Sequence, residues 1–359
     1  MTTPNSAHSP LWRTHLERAD PRSGWEGAQW TSAPLTSPFA ADQAIASWNL
    51  EAGVRATIEI RAGKKDGSWY PWQLLAEWGP AGERRTAEPP AAEAAPEGPR
   101  LDTDVLKAQD GDTFDAVQVR ISLSDASPTA SLHLVSVNFS APAAPADVLS
   151  DAPSEGQPQG AAGAVRSLSQ RAYPARDDLG GGGPVWCSPT SLTMVLDAWG
   201  AEIPESPADA PDGADPRVPW VAREVFDTIY NGTGNWPFNA AVAGSLGYDA
   251  VITRLPSLRE ARVLTDAGIP VITSIRFADR ADLPGADYDA PTGHLVVVRG
   301  FTSDGDVLVA DPASPGGEAG FRTYDRQAFD MTWARSRRTA YLVTPRGHTL
   351  PEAPGDVAW

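Results

Sequence analysis

The segment from Gly180 to Gly200 predicts a helix that begins at the chain's single cysteine, and it reads GGGGPVWCSPTSLTMVLDAWG. One apolar helix face is indicated by residues at positions i, i+3, i+4 and i+7, namely Leu192, Val195, Leu196 and Trp199. Proline is tolerated only in a first turn, so Pro189 places the helix start near Cys187 or Ser188. Gly200 suits the position just after the last turn.

Cys187 is therefore predicted at a helix N-terminus, where the local field favours nucleophilic chemistry. Unpaired N–H groups and the positive end of the helix dipole stabilise a thiolate. The backbone N–H of Cys187 could also donate to an oxyanion beside the sulfur. The glycines at 180–183 are expected to let a substrate backbone approach closely. A buried structural cysteine is the alternative interpretation, and the helix alone does not decide between the two.

A thiolate nucleophile needs a base, and the base needs an orienting group. Four of the five histidines lie in the predicted tails or in a strand of the first domain, and they are His8, His15, His133 and His348. His294 instead follows a glycine and opens an apolar strand. Asp304-Gly305 predicts a hairpin turn, after which the returning strand ends at Asp311. Each residue alone suits an ordinary structural role, but together with Cys187 they indicate a Cys-His-Asp arrangement.

Three motifs together resemble the C39-like peptidase domains of bacteria, which belong to the papain-like group. They are WCSPTS at 186–191, GHLVVVRG at 293–300 and VADP at 309–312. The resemblance covers roughly residues 165–345 and implies an α+β papain-like fold, with Cys187 on the leading helix and His294 and Asp311 on the sheet. Members of this family place a glutamine shortly before the cysteine to complete the oxyanion hole. The resemblance gives that role to Gln170, which lies farther upstream than usual; a surface glutamine is the alternative.

The first part of the chain predicts a separate all-β domain. Residues 56–61, 116–123 and 132–139 alternate apolar and other residues, which is typical of half-buried strands. We therefore expect a sandwich, jelly-roll-like, over residues 1–140, with a long loop at 80–99. It also resembles the β-sandwich that precedes the peptidase domain in some bacterial members. A linker rich in Pro, Ala and Gly is predicted at 141–164, and the α+β domain at 165–359.

Aromatic residues suggest two kinds of contact. Seven tryptophans lie in the first domain: Trp12, Trp25, Trp30, Trp48, Trp69, Trp72 and Trp78. They could bind carbohydrate or cell-wall material by stacking, or they could fill the core and the interface with the second domain. Near Cys187, three residues are predicted to contact substrate, namely Trp186, Asn235 and Trp236. For the last two, ordinary turn chemistry followed by a core tryptophan is the alternative.

Composition excludes several functional classes. The formal net charge of -17 and the lack of a basic stripe argue against nucleic acid. The sequence has no apolar run that would predict a membrane span or a signal peptide. We therefore expect a cytoplasmic protein, or an exported one if the start site is misassigned. One cysteine and few histidines offer no zinc-ligand spacing, and the glycine run lacks the context of a dinucleotide loop. We therefore expect no metal and no cofactor.

These features predict a cysteine hydrolase that cleaves a peptide or other amide bond through a thioester. Its catalytic residues would be Cys187, His294 and Asp311, with Gln170 at the oxyanion hole. Two alternatives stay open. A thiol acyltransferase would use the same residues with an amine as acceptor. A binding protein would use the tryptophan-rich domain and carry an inert peptidase domain.

Overall fold

A computed structural model describes residues 10–88, 97–124, 131–143, 158–289, 293–354 and 359. The part up to Pro142 is built from antiparallel strands, and the part from Gly160 onward mixes helices with strands. The predicted fold class, an all-β domain followed by an α+β domain, is confirmed. Over the described ranges, none of the helices is both long and apolar enough to cross a membrane.

The N-terminal domain is a sandwich of two sheets. Its strands are β1 (Trp12–Ala19), β2 (Trp25–Glu26), β3 (Gln29–Thr31), β4 (Leu35–Ala41), β5 (Gln43–Leu50), β6 (Ala56–Ala62), β7 (Gln73–Trp78), β8 (Arg85–Thr86), β9 (Arg100–Asp102), β10 (Val105–Lys107), β11 (Phe114–Leu123) and β12 (Leu132–Pro142). One sheet has the order β1-β12-β5-β10-β9; the other has β2-β3-β11-β6-β7-β8, with β4 also paired to β11. The three strands predicted from sequence are β6, β11 and β12. The stretch predicted as a loop at 80–99 contains β8, and its residues 89–96 lie outside the described residues.

Three tryptophans of this domain are buried, and they are Trp30, Trp48 and Trp78. Trp48 and Trp78 meet edge to face at 6.2 Å, and both rings contact Phe238 of the second domain. For these two residues the structure supports packing at the domain interface. Trp69 and Trp72 are only partly buried, and the guanidinium of Arg61 lies over both rings.

The C-terminal domain places its helices around one antiparallel sheet of order β13-β18-β14-β15-β16-β17. Its elements are α1 (Gly160–Ala164), α2 (Cys187–Ala198), α3 (Arg217–Glu224), α4 (Trp236–Ser245), β13 (Tyr248–Arg254), α5 (Leu258–Asp266), β14 (Val271–Ile275), β15 (His294–Phe301), β16 (Val307–Ala310), β17 (Phe321–Tyr324), α6 (Arg326–Ala334) and β18 (Thr339–Pro345). Helix α2 begins at Cys187 as the sequence predicts, and Gly200 follows its last turn with φ of 76°.

Helix α1 lies inside the stretch predicted as a linker. The N–H of Ala162 donates to the carbonyl of Gly268 at 2.9 Å, and both alanines at 161 and 162 are buried. A tertiary contact therefore orders a segment whose composition alone indicates a linker. Residues 144–157 of the predicted linker lie outside the described residues.

The two domains pack closely through β5, β13 and α4. The buried side chain of Asn49 donates to the carbonyl of Ala250 and accepts from its N–H, both at 2.9 Å. Asn49 thus satisfies the backbone of β13 as a neighbouring strand would. A Cβ on Gly244 of α4 would lie 2.5 Å from the Cβ of Asn49, so only glycine allows this approach. The contact fixes the sandwich beside the start of α4.

Candidate active site

The structure brings Cys187, His294 and Asp311 together at one end of the C-terminal sheet. Cys187 is the first residue of α2, His294 is the first residue of β15, and Asp311 follows β16. The ring Nε2 of His294 lies 2.8 Å from Asp311 Oδ1, which leaves Nδ1 for the hydrogen bond with Cys187.

The hairpin register explains why Asp311 reaches His294. Val297 pairs with Ala310, so Asp311 comes next to Val296 on the neighbouring strand. Side chains alternate along a strand, so Val296 and His294 share one face. The Asp304-Gly305 turn alone would place Asp311 opposite Val297, on the other face; a β-bulge at Arg299 shifts the register by one residue and brings the carboxylate to the face of the ring.

The electrostatics of the three residues favour a thiolate beside an imidazolium. Burial alone would raise the pKa of the Cys187 thiol, but the hydrogen bond and charge of His294, with the N–H groups of Leu295 and Ser188, lower it. Burial alone would lower the pKa of His294, but the Asp311 carboxylate and the Cys187 sulfur raise it to about 10. Burial opposes ionisation of Asp311 as well, but the charge and hydrogen bond of His294, with the hydrogen bonds from Ala313 and Tyr324, together lower the pKa of that carboxyl group.

Four donors hold the Asp311 carboxylate. Oδ1 accepts from His294 and from the N–H of Ala313 at 2.9 Å, and Oδ2 accepts from the hydroxyls of Tyr288 at 2.9 Å and Tyr324 at 2.8 Å. The ring of Tyr288 also packs on the imidazole, with centroids 4.6 Å apart. Sequence reasoning missed both tyrosines. Tyr324 could be found only from the pairing of β17 with β16, and Tyr288 lies in a loop that gives no signal.

Gln170 lies at the same cleft as Cys187 and His294. It begins a short 3-10 helix, Gln170–Ala172, whose backbone N–H at Gln170 donates to the carbonyl of Pro312, next to Asp311, at 2.8 Å. The side-chain Nε2 donates to the carbonyl of Pro184 at 2.9 Å, which occupies one of its two N–H groups. The other N–H is the one that could hold an oxyanion.

The glycine run explains how Gln170 reaches the segment just before Cys187, although Gln170 lies well upstream in the sequence. A Cβ on Gly183 would lie 2.1 Å from the carbonyl oxygen of Tyr173 and 2.6 Å from that of Gln170. Gly182 has φ of 75°, and its Cβ would lie 2.2 Å from the N of Arg176. These two glycines therefore pack against the chain's own backbone, and the expectation that they admit a substrate backbone is wrong.

Gly183→Ala is expected to lower the free energy of unfolding by about 1–3 kcal/mol, because the methyl group has no space between the two backbone segments. Chemical denaturation measures this loss. Gly79→Ala is the matched control, since its Cβ would meet nothing closer than 3.5 Å. Equal unfolding midpoints for the two variants would contradict the tight packing at Gly183.

A cleft of about 1130 Å³ opens in front of Cys187, and both domains line it. The sandwich supplies six residues to it, namely Gln43, Asp102, Thr103, Asp104, Val105 and Lys107. Asp104 lies in the turn between β9 and β10, and its carboxylate accepts from the N–H of Trp236 at 3.0 Å. Burial raises the pKa of Asp104 to about 6. No local pattern in the sequence indicates that the first domain reaches this site.

The three predicted substrate contacts have different surroundings. Asn235 and Trp236 line the cleft. The Asn235 side chain caps α4 by accepting from Phe238 at 3.1 Å and donates to Asp227 at 2.9 Å, so its polar atoms are engaged within the protein.

Trp186 does not line the cleft. Its indole is fully buried against Tyr173, and Nε1 donates to the carbonyl of Leu179 at 3.2 Å. The prediction that Trp186 contacts substrate is therefore corrected to a packing role. Because its backbone precedes α2, this packing holds the helix start in place.

Comparison with known proteins gives two family matches. Residues 164–341 match the model described as Peptidase_C39 like family, and residues 7–141 match the one described as Peptidase C39 N-terminal domain. A crystal structure titled as a C39-like peptidase from Bacillus anthracis is 18% identical, with a TM-score of 0.32, over 51% of this chain and 95% of that chain. A structure of infectious bursal disease virus, Gt strain, is 11% identical, with a TM-score of 0.16, over 39% and 40% of the two chains. No curated protein matches the sequence.

Proposed function

The chain belongs to the Peptidase_C39 like family through residues 164–341, and from that membership we propose that it cleaves a peptide or other amide bond with Cys187 as nucleophile. The observation that carries the proposal is the continuous link from the Cys187 sulfur through the His294 ring to the Asp311 carboxylate. A structural cysteine needs no such base, whereas a nucleophilic thiolate does. All these groups lie beside a cleft large enough for a peptide segment.

In the proposed reaction, the Cys187 thiolate attacks the carbonyl carbon of the substrate amide. The oxyanion that forms is held by the N–H of Cys187, which lies in the first turn of α2 and lacks an intrahelical acceptor, and by the Gln170 amide. His294 gives its Nδ1 proton to the leaving amine, and the tetrahedral intermediate collapses to a thioester. Water, deprotonated by His294, then attacks the thioester and releases the acid.

The role of Asp311 in this scheme is to hold one tautomer of His294. Its carboxylate fixes the proton on Nε2 and stabilises the charge that the ring carries while Cys187 is a thiolate. Tyr288 and Tyr324 keep the carboxylate in position by donating to its second oxygen. We therefore assign the two tyrosines a positioning role.

The proposal predicts that iodoacetamide labels Cys187 well below pH 8, because the His294 charge keeps the sulfur ionised. The measurement is the labelling rate against pH, followed by mass spectrometry. The chain has one cysteine, so all incorporated label reports on this thiol. The urea-unfolded protein is an internal control and should label with the pKa of a free thiol, about 8.5. If the labelling rate of the folded protein rises only near that pH, the proposal is rejected.

A further inference from the structure

A row of arginines runs along the end of the sheet that carries His294. Ile275 pairs with His294, so Arg276 is the first residue beyond that pair on β14. Farther along the same end, Arg254 at the end of β13 pairs with Thr339 at the start of β18. Four arginines line the cleft at this end, and we call them the basic row: Arg254, Arg276, Arg335 and Arg337.

Two members of the basic row are neutralised by ion pairs. Arg337 binds both carboxylate oxygens of Asp42, with the longer of the two bonds at 2.8 Å. Arg335 pairs with Asp282. Neither Asp42 nor Asp282 lines the cleft, so these carboxylates do not add to the cleft surface of the basic row.

The other two members have no carboxylate within ion-pair distance among the described residues. Arg254 is 2% exposed and donates only to neutral oxygens, those of Gln43, Thr339 and Ser140. Burial, together with the charge of Arg337, lowers the pKa of Arg254 to about 9. Arg276 is exposed and lies beside His294. Two guanidinium groups without a carboxylate partner, one buried and one exposed, make this end of the cleft attractive to an anion.

The lining of the cleft differs in charge from the chain as a whole. Six Lys or Arg and three Asp line it, and the ion pairs with Asp42 and Asp282 involve two further carboxylates. The whole chain has 29 Lys or Arg against 46 Asp or Glu. Cationic side chains are therefore concentrated at the cleft, and those without a carboxylate partner favour an anionic group such as a carboxylate.

Resting on the proposed function, we propose that the substrate is an acidic peptide, whose carboxylate binds along the basic row. Arg276 is the specificity-determining residue, because it is exposed, lines the same cleft as His294 and has no ion-pair partner among the described residues. Its planar fork can bind a carboxylate through two parallel hydrogen bonds. The buried charge of Arg254, which also lines the cleft, adds to the attraction.

Binding is tested with the Cys187→Ala variant, so that no peptide is consumed. The probes are two pools of fluorescent peptides whose other residues are random and uncharged. Each peptide of the first pool contains one glutamate, and the second pool has glutamine at the same positions. We expect the glutamate pool to bind about tenfold tighter in fluorescence anisotropy, as one charge-assisted hydrogen bond allows. Adding Arg276→Gln should reduce this preference to less than about twofold, whereas Arg276→Lys should keep part of it.

Arg22→Gln in the same background is the matched control. The Arg22 side chain is 88% exposed on the sandwich and lies outside the cleft lining, so its loss should leave the preference unchanged. Equal binding of the two pools by the Cys187→Ala protein would overturn the inference. Incubation of both pools with the wild-type protein tests the proposed function separately. A preference for glutamate without any cleavage would reject hydrolysis and leave the acidic ligand standing.

Discussion

Replacing Cys187 with alanine is expected to lower kcat/KM for amide hydrolysis by at least about 10⁴-fold. The sulfur is the atom that forms the thioester, and no other cysteine exists in the chain to replace it. The expected loss is chemical and not structural, because alanine fits where cysteine packs and suits a helix. Turnover of a cleaved peptide measures the effect, and thermal unfolding verifies that the variant is folded.

The double variant Cys187→Ala/His294→Ala sharpens this test. When two residues act as one unit, removing either one abolishes the contribution of both to the rate. The double variant should therefore be about as slow as Cys187→Ala alone. Additive losses would mean that His294 assists the reaction independently of the sulfur. A Cys187→Ala protein that keeps more than about 1% of the wild-type rate would reject Cys187 as the nucleophile.

The three central residues of the site could be predicted because each depends on local structure. Pro189 marks the helix start at Cys187, and one tight turn returns the chain to bring Asp311 near His294. The β-bulge at Arg299, which turns the carboxylate to the face of the ring, has no signal in the sequence. Gln170 could be named only through family resemblance, since its position depends on Gly183, which packs against the carbonyls of Tyr173 and Gln170. Tyr324 depends on the register of a third strand, and Asp104 depends on how the two domains dock. Neither relation leaves a local pattern in the sequence.

The fold shows the same division between local and distant causes. The sequences of β6, β11 and β12 alternate apolar and other residues, which predicts these strands. Burial alternates accordingly in β6 and β11, whereas β12 is buried on both faces. Strand β8 has two residues, too few for a period, and exists because it pairs with β7. The prediction for Trp186 was wrong because a large indole beside the nucleophile is needed in the core that anchors α2.

The sandwich belongs to the architecture of the cleft. Asn49 ties β5 to β13, and Asp104 reaches the start of α4, so the first domain both supports and lines the cleft. The basic row has the same dependence, because Gln43 and Ser140 of the sandwich hold the buried Arg254. Contacts from the sandwich therefore help to place the groups that would recognise substrate, even though the three central catalytic candidates all come from the second domain.

Asp311→Asn is expected to lower kcat by about 10²–10⁴-fold while changing the side-chain volume very little. The carboxylate accepts four hydrogen bonds, whereas an asparagine side chain has one acceptor oxygen and an NH₂ group that can only donate. Either the two tyrosine hydroxyls or the His294 ring and the Ala313 N–H must then face the NH₂ group. If the NH₂ group faces the ring, the Nε2–H tautomer is no longer held. If it faces the tyrosine hydroxyls, the amide oxygen still accepts from Nε2, but it has no charge to stabilise the imidazolium.

The sign of the accompanying pH effect follows from the charges. Without the Asp311 carboxylate, burial dominates and the pKa of His294 falls from about 10, so the ring is neutral over more of the pH range. The Cys187 thiol then loses the charge that lowers its pKa, and its iodoacetamide profile should move to higher pH. Asp110→Asn is the control, because this exposed residue has φ of 53°, which asparagine tolerates well. An unchanged labelling profile in Asp311→Asn would show that the carboxylate does not act on the thiol through His294.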